Sequence, residues 1–577
     1  MIILELTNYR TGLMKKIMCF LRIIRIPIFW LLLTLNAIGQ EKSKKVDELF
    51  KDWNRIDSPG AVVAILEDDK MVYKNAYGMA NLEYSIPNTT KTIYHVASIS
   101  KQFTVFAIAK LEHEGRLSFD DDIRKYIPEF PDFGEKISLF NLASHTSGLR
   151  EQWRLLEMGG WRLDDVITTD HILTLVKNQK KLNFKPGTQF MYCNTGFTLL
   201  AKVVEKVSGM SYAEYTQKNI FDPLKMEDSF FYDDHEKIVK KRAYSYKWEE
   251  DKLKKSNLNF STVGPTSLFT TVEDLSKWAV NFNKLTIGNK GIFSKMSKPT
   301  VLNNGDSSSW ALGQFVWKHN GLNIITHSGS DAGYRTFLAR FPDSQTTIIV
   351  FTNASSFSAN EKAFQLMDIY LSDRYERSNE NTSEKKEPFQ HDKTKFIKLP
   401  SKTLVSYEGE FWEPNERYKR KIYVKNDTLM YFRSKGNETP LLPISDNEFK
   451  MFGDLYDVTV SFDKNEKQDE TMKVDIKDQG SIEFMRMSGT KTKEYVGKYM
   501  SPELKTEYTL HLNNGNYMLK HKRLGDIQLN QINMNYFTSD NRNFSQIRFI
   551  RNKRKKITGF EVSNDGIRNL EFIKDSD

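Results

Sequence analysis

Apolar positions follow two spacings along residues 40–375, and each spacing occupies its own part of that stretch. Near the start, the apolar runs 61–66 and 71–73 flank the polar turn 67–70, which is typical of a β-hairpin. Strand patterns return late, at residues 312–317, 324–327, 336–341 and 346–352. Between these ends, apolar residues recur every three or four positions, which predicts helices over residues 98–115, 170–179, 197–207 and 271–282. We therefore predict an α+β fold in which one antiparallel sheet, built from both ends and flanked by helices, is interrupted by an inserted helical region.

The second part of the chain has a different pattern. Residues 376–400 are rich in charged and small polar residues, as expected of a linker. Beyond it, the five residues that start at Tyr407 recur in similar form at Tyr495, an offset of 88 positions, and alternating strand patterns follow each copy. We expect two small all-β domains over residues 401–488 and 489–577, built as curled sheets or short barrels.

The N-terminal segment has the layout of a secretory signal peptide. Four basic residues precede the apolar run 26–35, and Ala37 and Gly39 are small residues of the kind that a signal peptidase reads. An uncleaved anchor helix is the alternative, but Arg25 interrupts the apolar stretch and leaves it shorter than the roughly 20 residues needed to span a membrane. We predict a signal peptide over residues 1–39 and a periplasmic or secreted protein.

Composition narrows the function classes further. The 577 residues are 39% hydrophobic and 12% aromatic, with a mean hydropathy of −0.54 that excludes a polytopic membrane protein. Two cysteines exclude a disulfide scaffold and a cysteine-only zinc site. Residues 1–39 hold five basic residues and one acid, so they carry four of the ten net positive charges. The basic run 551–556 lacks interleaved aromatic residues that could stack on bases. We therefore expect no nucleic-acid partner, and membrane contact only during export.

The predicted helix 98–115 begins with a candidate nucleophile. Ser98 and Lys101 are three positions apart, so they share one helical face and the amine can reach the hydroxyl. A lysine in an apolar pocket can lose its proton near neutral pH and activate a serine. The helix N-terminus would stabilise a developing oxyanion. Alone, such a pair more often marks a solvated helix face with the serine as N-cap.

Two further motifs change the meaning of that pair. Tyr192 and Asn194 form a Tyr-x-Asn motif on a loop before a helix, and His327 and Gly329 form a His-x-Gly motif at a strand end. Ser-x-x-Lys, Tyr-x-Asn and basic-x-Gly in this order resemble the serine β-lactamase and penicillin-binding family, and the tyrosine version is similar to its class C branch. Segments 115–121 and 142–149 also match phrases common in that family. The resemblance spans residues 47–353.

The resemblance implies a catalytic role for each of three residues. Ser98 would be the acylated nucleophile, and Lys101 would accept its proton. Tyr192 would be the second proton-handling group, with a phenol kept acidic by the nearby lysine. No metal or cofactor is implied. Trp153 and Trp161, in a loop at the rim, would either line the acyl pocket or simply pack.

The resemblance also implies the substrate-binding residues. Asn194 would hydrogen-bond the acyl-side amide and the lysine, and Gly329 would let the substrate approach the strand edge. The backbone N–H groups of Ser98 and Ser330 would form the oxyanion hole. His327 departs from the lysine usual in β-lactamases of this fold. A histidine is mostly neutral at pH 7, so it suits esters or amides better than carboxylate-bearing substrates. A satisfied strand-end histidine is the alternative for this position.

Together these features predict an exported serine hydrolase with a small-molecule or peptide substrate. It would act through a Ser98 acyl-enzyme on an ester, an amide, a D-amino-acid peptide or a β-lactam-like compound. The alternative is a non-catalytic module that recognises peptidoglycan or penicillin, or acts as a sensor. A cell-wall or glycan contact through the two β domains stays open.

Overall fold

The computed structural model describes residues 39–376, 389, 394–414, 418–454, 456–464, 470–489 and 492–575. The predicted signal peptide, except for Gly39, and much of the predicted linker lie outside the described residues. Within the described ranges, none of the helices has both the length and the apolar character needed to cross a membrane.

The described helices lie mainly in the first domain, which covers residues 39–376. They are α1 (39–50), α2 (Ser100–His113), α3 (Leu139–Ala143), α4 (Gln152–Met158), α5 (Thr169–Asn178), α6 (Asn194–Ser208), α7 (Tyr212–Thr216), α8 (Val272–Lys284), α9 (Lys290–Ser297), α10 (Ala359–Leu371) and α11 (Ser401–Ser406). The four predicted helices correspond to α2, α5, α6 and α8.

The strands of the first domain form one large sheet and three small ones. They are β1 (Ala61–Glu67), β2 (Lys70–Tyr77), β3 (Met79–Asn81), β4 (Ile86–Pro87), β5 (Tyr94–His95), β6 (Phe230–Phe231), β7 (Tyr246–Glu249), β8 (Lys252–Lys255), β9 (Leu268–Thr270), β10 (Trp310–Ala311), β11 (Gln314–His319), β12 (Leu322–Asp331), β13 (Tyr334–Phe341) and β14 (Thr346–Thr352). The large sheet is antiparallel and has the order β10-β11-β12-β13-β14-β1-β2.

Both ends of the first domain meet in this sheet, because β1 pairs with β14 along its whole length. Successive side chains of a strand point to opposite faces. Val62 and Ala64 of β1 therefore pack in the core that holds α2 and α6. Val63 and Ile65 pack in a second core with α1 and α10. The predicted α+β fold with an inserted helical region is confirmed.

Two closed barrels of eight strands follow. Barrel 1 contains β15 (Gly409–Glu413), β16 (Tyr418–Lys425), β17 (Thr428–Ser434), β18 (Asn437–Pro443), β19 (Glu448–Met451), β20 (Val458–Lys464), β21 (Glu470–Ile476) and β22 (Gly480–Arg486). Barrel 2 contains β23 (Gly497–Ser501), β24 (Thr506–Asn513), β25 (Asn516–His521), β26 (Gly525–Gln531), β27 (Tyr536–Thr538), β28 (Gln546–Arg551), β29 (Ile557–Ser563) and β30 (Leu570–Lys574). The first and last strands pair in each barrel, so closure leaves no free edge at the seam. The prediction of two small all-β domains is confirmed.

The two barrels complete their cores differently. The core of barrel 1 includes Leu404, which belongs to α11 at the start of the same repeat. The core of barrel 2 instead includes Leu155 and Met158 of α4, which belong to the first domain. The Tyr508 hydroxyl of barrel 2 also donates a hydrogen bond to the Met158 carbonyl at 2.8 Å. Barrel 2 therefore packs directly on the helical region.

Candidate active site

Ser98 lies in a short 3-10 turn directly before α2. The preceding residue, Ala97, has a φ of +49°, a left-handed conformation that is costly for a residue with a Cβ atom. The Thr336 hydroxyl of β13 donates to the Val96 carbonyl at 3.0 Å and ties this turn to the sheet. Ser98 keeps partial exposure although Ile99 beside it is buried. The turn therefore presents the Ser98 side chain to solvent.

Lys101 lies one helical turn further on and is fully buried. Its Nζ is 2.7 Å from Asn194 Oδ1, 2.9 Å from the Pro265 carbonyl oxygen and 3.1 Å from Ser98 Oγ. Burial lowers the pKa of the lysine to about 7, so a large fraction of the amine is neutral near physiological pH. Nearby carboxylates oppose this shift but do not cancel it.

The partners of Lys101 also determine the direction of its third hydrogen bond. A neutral amine has two hydrogens and one lone pair. The Asn194 and Pro265 oxygens can only accept, so they take both hydrogens. The lone pair then points to Ser98, whose hydroxyl donates to it. In this protonation state Lys101 is arranged to receive the proton of the serine.

Tyr192 covers the same lysine. Lys101 Nζ lies 4.8 Å from the centroid of its ring, and the His145 ring lies 4.3 Å from it on centroids. Burial raises the pKa of the Tyr192 phenol, and contact with the Ser98 hydroxyl offsets only part of that rise. The expectation that Lys101 keeps this phenol acidic is therefore wrong, because desolvation of the phenolate outweighs it. The phenol is protonated at neutral pH.

Asn194 begins α6 and is held by a residue that the sequence analysis missed. Glu151 accepts hydrogen bonds from the Asn194 backbone N–H at 2.6 Å and from Asn194 Nδ2 at 2.9 Å. It also accepts from the Trp153 backbone N–H at 3.3 Å. Glu151 is only 8% exposed, and burial raises the pKa of its carboxyl. The only sequence signal for Glu151 was its place just after the recognised segment 142–149.

The strand β12 carries the His-x-Gly motif and ends beside the serine turn. It pairs with β11 only as far as Thr326, whereas its pairing with β13 continues to Asp331. One side of its last five residues is therefore free of strand partners among the described residues. Ser330 is exposed on this stretch. An extended substrate could pair with this free edge.

Gly329 is required by the packing of β12. A Cβ atom at this position would lie 2.2 Å from the Val96 carbonyl oxygen and 2.3 Å from Thr336 Oγ1. The structure therefore needs glycine because β12 packs closely against the turn that holds Ser98. The predicted role of Gly329 in substrate approach stays a prediction.

His327 is enclosed by aromatic rings and only 2% exposed. Trp310 and Phe315 lie 5.5 and 5.7 Å from it on ring centroids. Burial lowers the pKa of the imidazole to about 3, so it is neutral, and Nδ1 donates to the Ser328 carbonyl at 2.5 Å. This end of the site therefore holds no positive charge at His327.

A cavity of about 910 Å³ opens over Tyr192, Asn194 and Ser330. Trp153 and Trp161 line it, and each also packs against another ring of the first domain. Barrel 2 forms part of the cavity wall through Leu524, Asn541, Arg542, Asn543, Asp565 and Gly566. Of the predicted site residues, Tyr192, Asn194 and Ser330 line this cavity. Lys101 joins Ser98 to Asn194 by hydrogen bonds. The His327 ring lies 6.3 Å from that of Tyr192 on centroids, and Gly329 packs against the serine turn.

Comparison with known proteins agrees with this geometry. The family model described as Beta-lactamase matches residues 46–371. The chain belongs to the beta-lactamase family. Among beta-lactamase relatives, penicillin-binding protein 4* of Bacillus subtilis (strain 168) is 27% identical over 341 residues, which are 56% of this chain and 74% of that protein. The D-aminopeptidase of Brucella anthropi is 26% identical over 313 residues, 54% of this chain and 59% of that protein. This chain therefore spans about three fifths of the D-aminopeptidase.

Solved structures show the same fold. The octameric penicillin-binding protein homologue from Pyrococcus abyssi is 23% identical, with a TM-score of 0.51 over 78% of this chain and 100% of that chain. EstCE1, a hydrolase with promiscuous acyltransferase activity, is 19% identical, with a TM-score of 0.50 over 58% of this chain and 99% of that chain. The protein thus has the same fold as these structures.

Proposed function

We propose that the protein is an exported hydrolase that forms a covalent acyl-enzyme on Ser98. The observation that carries this proposal is the arrangement of Lys101, whose lone pair is directed to the Ser98 hydroxyl by two oxygens that can only accept. A buried lysine with a pKa of about 7 is suited to take that proton at physiological pH.

The reaction begins with attack of Ser98 Oγ on the carbonyl carbon of the substrate, and the hydroxyl proton passes to Lys101 Nζ. The backbone N–H groups of Ser98 and Ser330 stabilise the oxyanion. Tyr192 donates its phenolic proton to the leaving group and regains one from Lys101, which returns the lysine to its neutral form. Water then adds to the acyl ester and loses a proton to this pair. The pair passes the proton to Ser98 Oγ as the ester bond breaks, which releases the acid product and restores Ser98.

The substrate class follows from His327. A neutral, buried imidazole offers no cation for a substrate carboxylate. Esters, amides and D-amino-acid peptides are therefore better substrates than compounds that need a carboxylate anchor, such as penicillins. The similarity to a D-aminopeptidase supports the peptide and amide part of this range.

Covalent labelling tests the acyl-enzyme. We expect a fluorophosphonate probe to add once to the intact protein, as read by mass spectrometry, and Ser98→Ala to remove the label. Ser330→Ala is the matched control, because it deletes a hydroxyl in the same cleft and keeps the backbone N–H. Equal labelling of Ser98→Ala and native protein would refute the proposal. An unlabelled native protein that binds penicillin would favour the recognition module instead.

Export is tested separately. The predicted signal peptide ends at Gly39, so we expect the mature protein to begin at Gln40. Intact mass of the protein recovered from the periplasm or medium of an expressing bacterium measures this. A full-length chain that stays in the membrane fraction would support the anchor alternative.

A further inference from the structure

Asp331 is the last residue of β12 and lines the cleft beside Ser330. One carboxylate oxygen, Oδ2, is bound by two other side chains of the protein. It lies 2.9 Å from His95 Nε2 and accepts a hydrogen bond from the Thr266 hydroxyl. The side chain keeps 17% exposure, and Oδ1 has no hydrogen-bond partner among the described residues. Asp331 therefore presents one oxygen to the cleft in a fixed orientation.

The group that holds Asp331 is neutral. His95 is completely buried among Phe260, Phe269 and Tyr334, with ring centroids 5.1 to 6.0 Å away. Its Nε2 must carry the hydrogen that Asp331 accepts, and its Nδ1 has no partner in the described part of the chain. A protonated imidazole would bury an unsatisfied N–H at Nδ1, which is costly. The desolvation that lowers the pKa of His95 acts in the same direction. His95 therefore brings no positive charge to Asp331.

Among the described residues, no lysine or arginine forms an ion pair with Asp331. Five cationic side chains line the cleft in the described part of the chain, and each forms an ion pair with a different carboxylate: Arg154, Arg162, Lys247, Lys255 and Arg542. Arg335 is near Asp331 on β13, but its Nη1 donates to the carbonyls of Ala332 and Tyr334. Glu151, the other unpaired acid, is satisfied by three N–H groups.

We propose that Asp331 Oδ1 binds a protonated primary amine on the acyl portion of the substrate. The proposal rests on the proposed function and assigns its substrate class: acyl compounds with a free ammonium group near the scissile carbonyl. An ammonium there would meet a carboxylate that has no ion pair with a described arginine or lysine, in a partly desolvated cleft where a charged hydrogen bond is strong. The neutral His327 and the Asp331 carboxylate together give this end of the site a preference for cations.

Matched substrates test the proposal on the native protein. Alanine p-nitroanilide, in both enantiomers, is compared with N-acetylalanine p-nitroanilide, which lacks the ammonium group. We expect kcat/KM of the better free-amine enantiomer to exceed that of its acetylated form by about 10- to 100-fold, the effect of one charged hydrogen bond. Preference for the acetylated compound, or equal rates, would overturn the proposal.

A variant separates Asp331 from the rest of the cleft. Asp331→Asn keeps the size and the hydrogen bonds of the side chain but removes its charge, so we expect the ratio of free-amine to acetylated kcat/KM to fall by about 10- to 100-fold. Asp164→Asn is the control, because Asp164 lines the same cleft but pairs with Arg162 at 2.6 Å. Its ratio should stay within about threefold of the native value. An unchanged ratio in Asp331→Asn would refute the assignment.

Fluorophosphonate labelling distinguishes the two proposals. If Ser98 labels but neither anilide is hydrolysed, or no amine preference exists, the role of Asp331 is wrong and the acyl-enzyme stands. If Ser98 does not label, the proposed function itself fails. Labelling of Asp331→Asn at the native rate confirms that the variant is folded.

Discussion

Barrel 1 and barrel 2 share a strand order and a repeated opening motif, but they relate to the first domain in opposite ways. Barrel 1 fills its core with a helix of its own repeat through Leu404. Barrel 2 takes Leu155 and Met158 from α4. The structure shows no hydrogen bond or ion pair between the described residues of barrel 1 and those of the first domain. Barrel 1 instead forms hydrogen bonds with barrel 2 that involve Ser488 and Gln546. Of the two repeated domains, barrel 1 is thus self-contained, whereas barrel 2 forms part of the cleft.

Barrel 2 is connected to the candidate active site through two adjacent residues of the first domain. Arg150 is fully buried and pairs with Glu503 of barrel 2 at 3.0 Å. The next residue, Glu151, donates its backbone N–H to the Gly566 carbonyl of barrel 2 at 3.0 Å and holds Asn194 with its side chain. Barrel 2 therefore supports the residue that orients the partner of Lys101.

The largest expected difference between the barrels comes from their ion pairs. Glu503→Ala leaves the Arg150 guanidinium buried without its carboxylate. We therefore expect the free energy of unfolding to fall by about 3–5 kcal/mol and most of the ester hydrolysis activity to be lost. Asp457→Ala breaks the partly exposed Lys450–Asp457 pair of barrel 1 and should cost about 1 kcal/mol or less, with turnover kept. Urea unfolding and p-nitrophenyl acetate hydrolysis measure both. Equal losses in the two variants would mean that barrel 2 is no more integrated than barrel 1.

The apolar contacts give the next effect. Met158→Ala and Leu404→Ala each remove a buried side chain from a barrel core, and each should cost about 2–5 kcal/mol. We expect only Met158→Ala to lower kcat, because α4 follows Glu151 directly. Thermal unfolding and turnover at a temperature where both variants are folded make the comparison. A fall in kcat for Leu404→Ala as large as that for Met158→Ala would contradict the division.

The pH profile sharpens the link between barrel 2 and Lys101. An amine with a pKa of about 7 accepts protons only when neutral, so kcat/KM should fall about tenfold per pH unit below pH 7 and level off above it. Burial lowers this pKa, while the charges of Asp331 and Glu151 raise it. Glu151→Gln removes one of those charges, so the rising limb should move to lower pH.

Asp457→Asn in barrel 1 is the control for the pH profile and should leave the midpoint in place. An unmoved midpoint in Glu151→Gln would show that the Glu151 charge does not reach the lysine. Both profiles are measured as kcat/KM for p-nitrophenyl acetate between pH 5 and 8.5, about the range in which the lysine titrates.

The smallest effect is expected at exposed pairs. Lys181 pairs with Glu571 across the barrel 2 interface, and Lys419 pairs with Glu410 within barrel 1. All four side chains are more than 40% exposed, so Lys181→Ala and Lys419→Ala should each change the free energy of unfolding by about 1 kcal/mol or less. A fall of more than about 2 kcal/mol in the free energy of unfolding for Lys181→Ala alone would mean that exposed ion pairs stabilise the interface between barrel 2 and the first domain.

Elements with local signals could be predicted from the sequence. The helices α2, α5, α6 and α8 follow apolar spacing, and β14 begins and ends where its β-branched run does. The Ser98–Lys101 pair also depends on spacing alone. The short helix α4 was not predicted, because its two barrel-facing residues resemble an ordinary apolar face. Their partner surface lies more than 330 positions later in the chain.

The part of the site that sequence could not predict depends on burial and distant partners. Glu151 matters because it meets Asn194, and Asp331 because it meets His95, which is 236 positions away. Sequence correctly favoured a neutral His327 but gave the wrong direction for the pKa of Tyr192, since desolvation depends on the packed surroundings. The identity of a residue predicts the chemistry that it can perform, whereas its protonation state can be inferred only from the folded structure.

The supports of Arg150 have a consequence for the order in which the molecule is made. Its guanidinium is bound by Glu503 and by the carbonyls of Arg568 and Asn569, so these partners leave the ribosome long after Ser98. Domains generally fold from the N-terminus as they are synthesised, yet here a wall of the cleft depends on residues directly before β30, the closing strand of barrel 2. A chain that stops before residue 568 would carry the nucleophile but lack these partners of Arg150, so we expect the cleft to be complete only once barrel 2 is present.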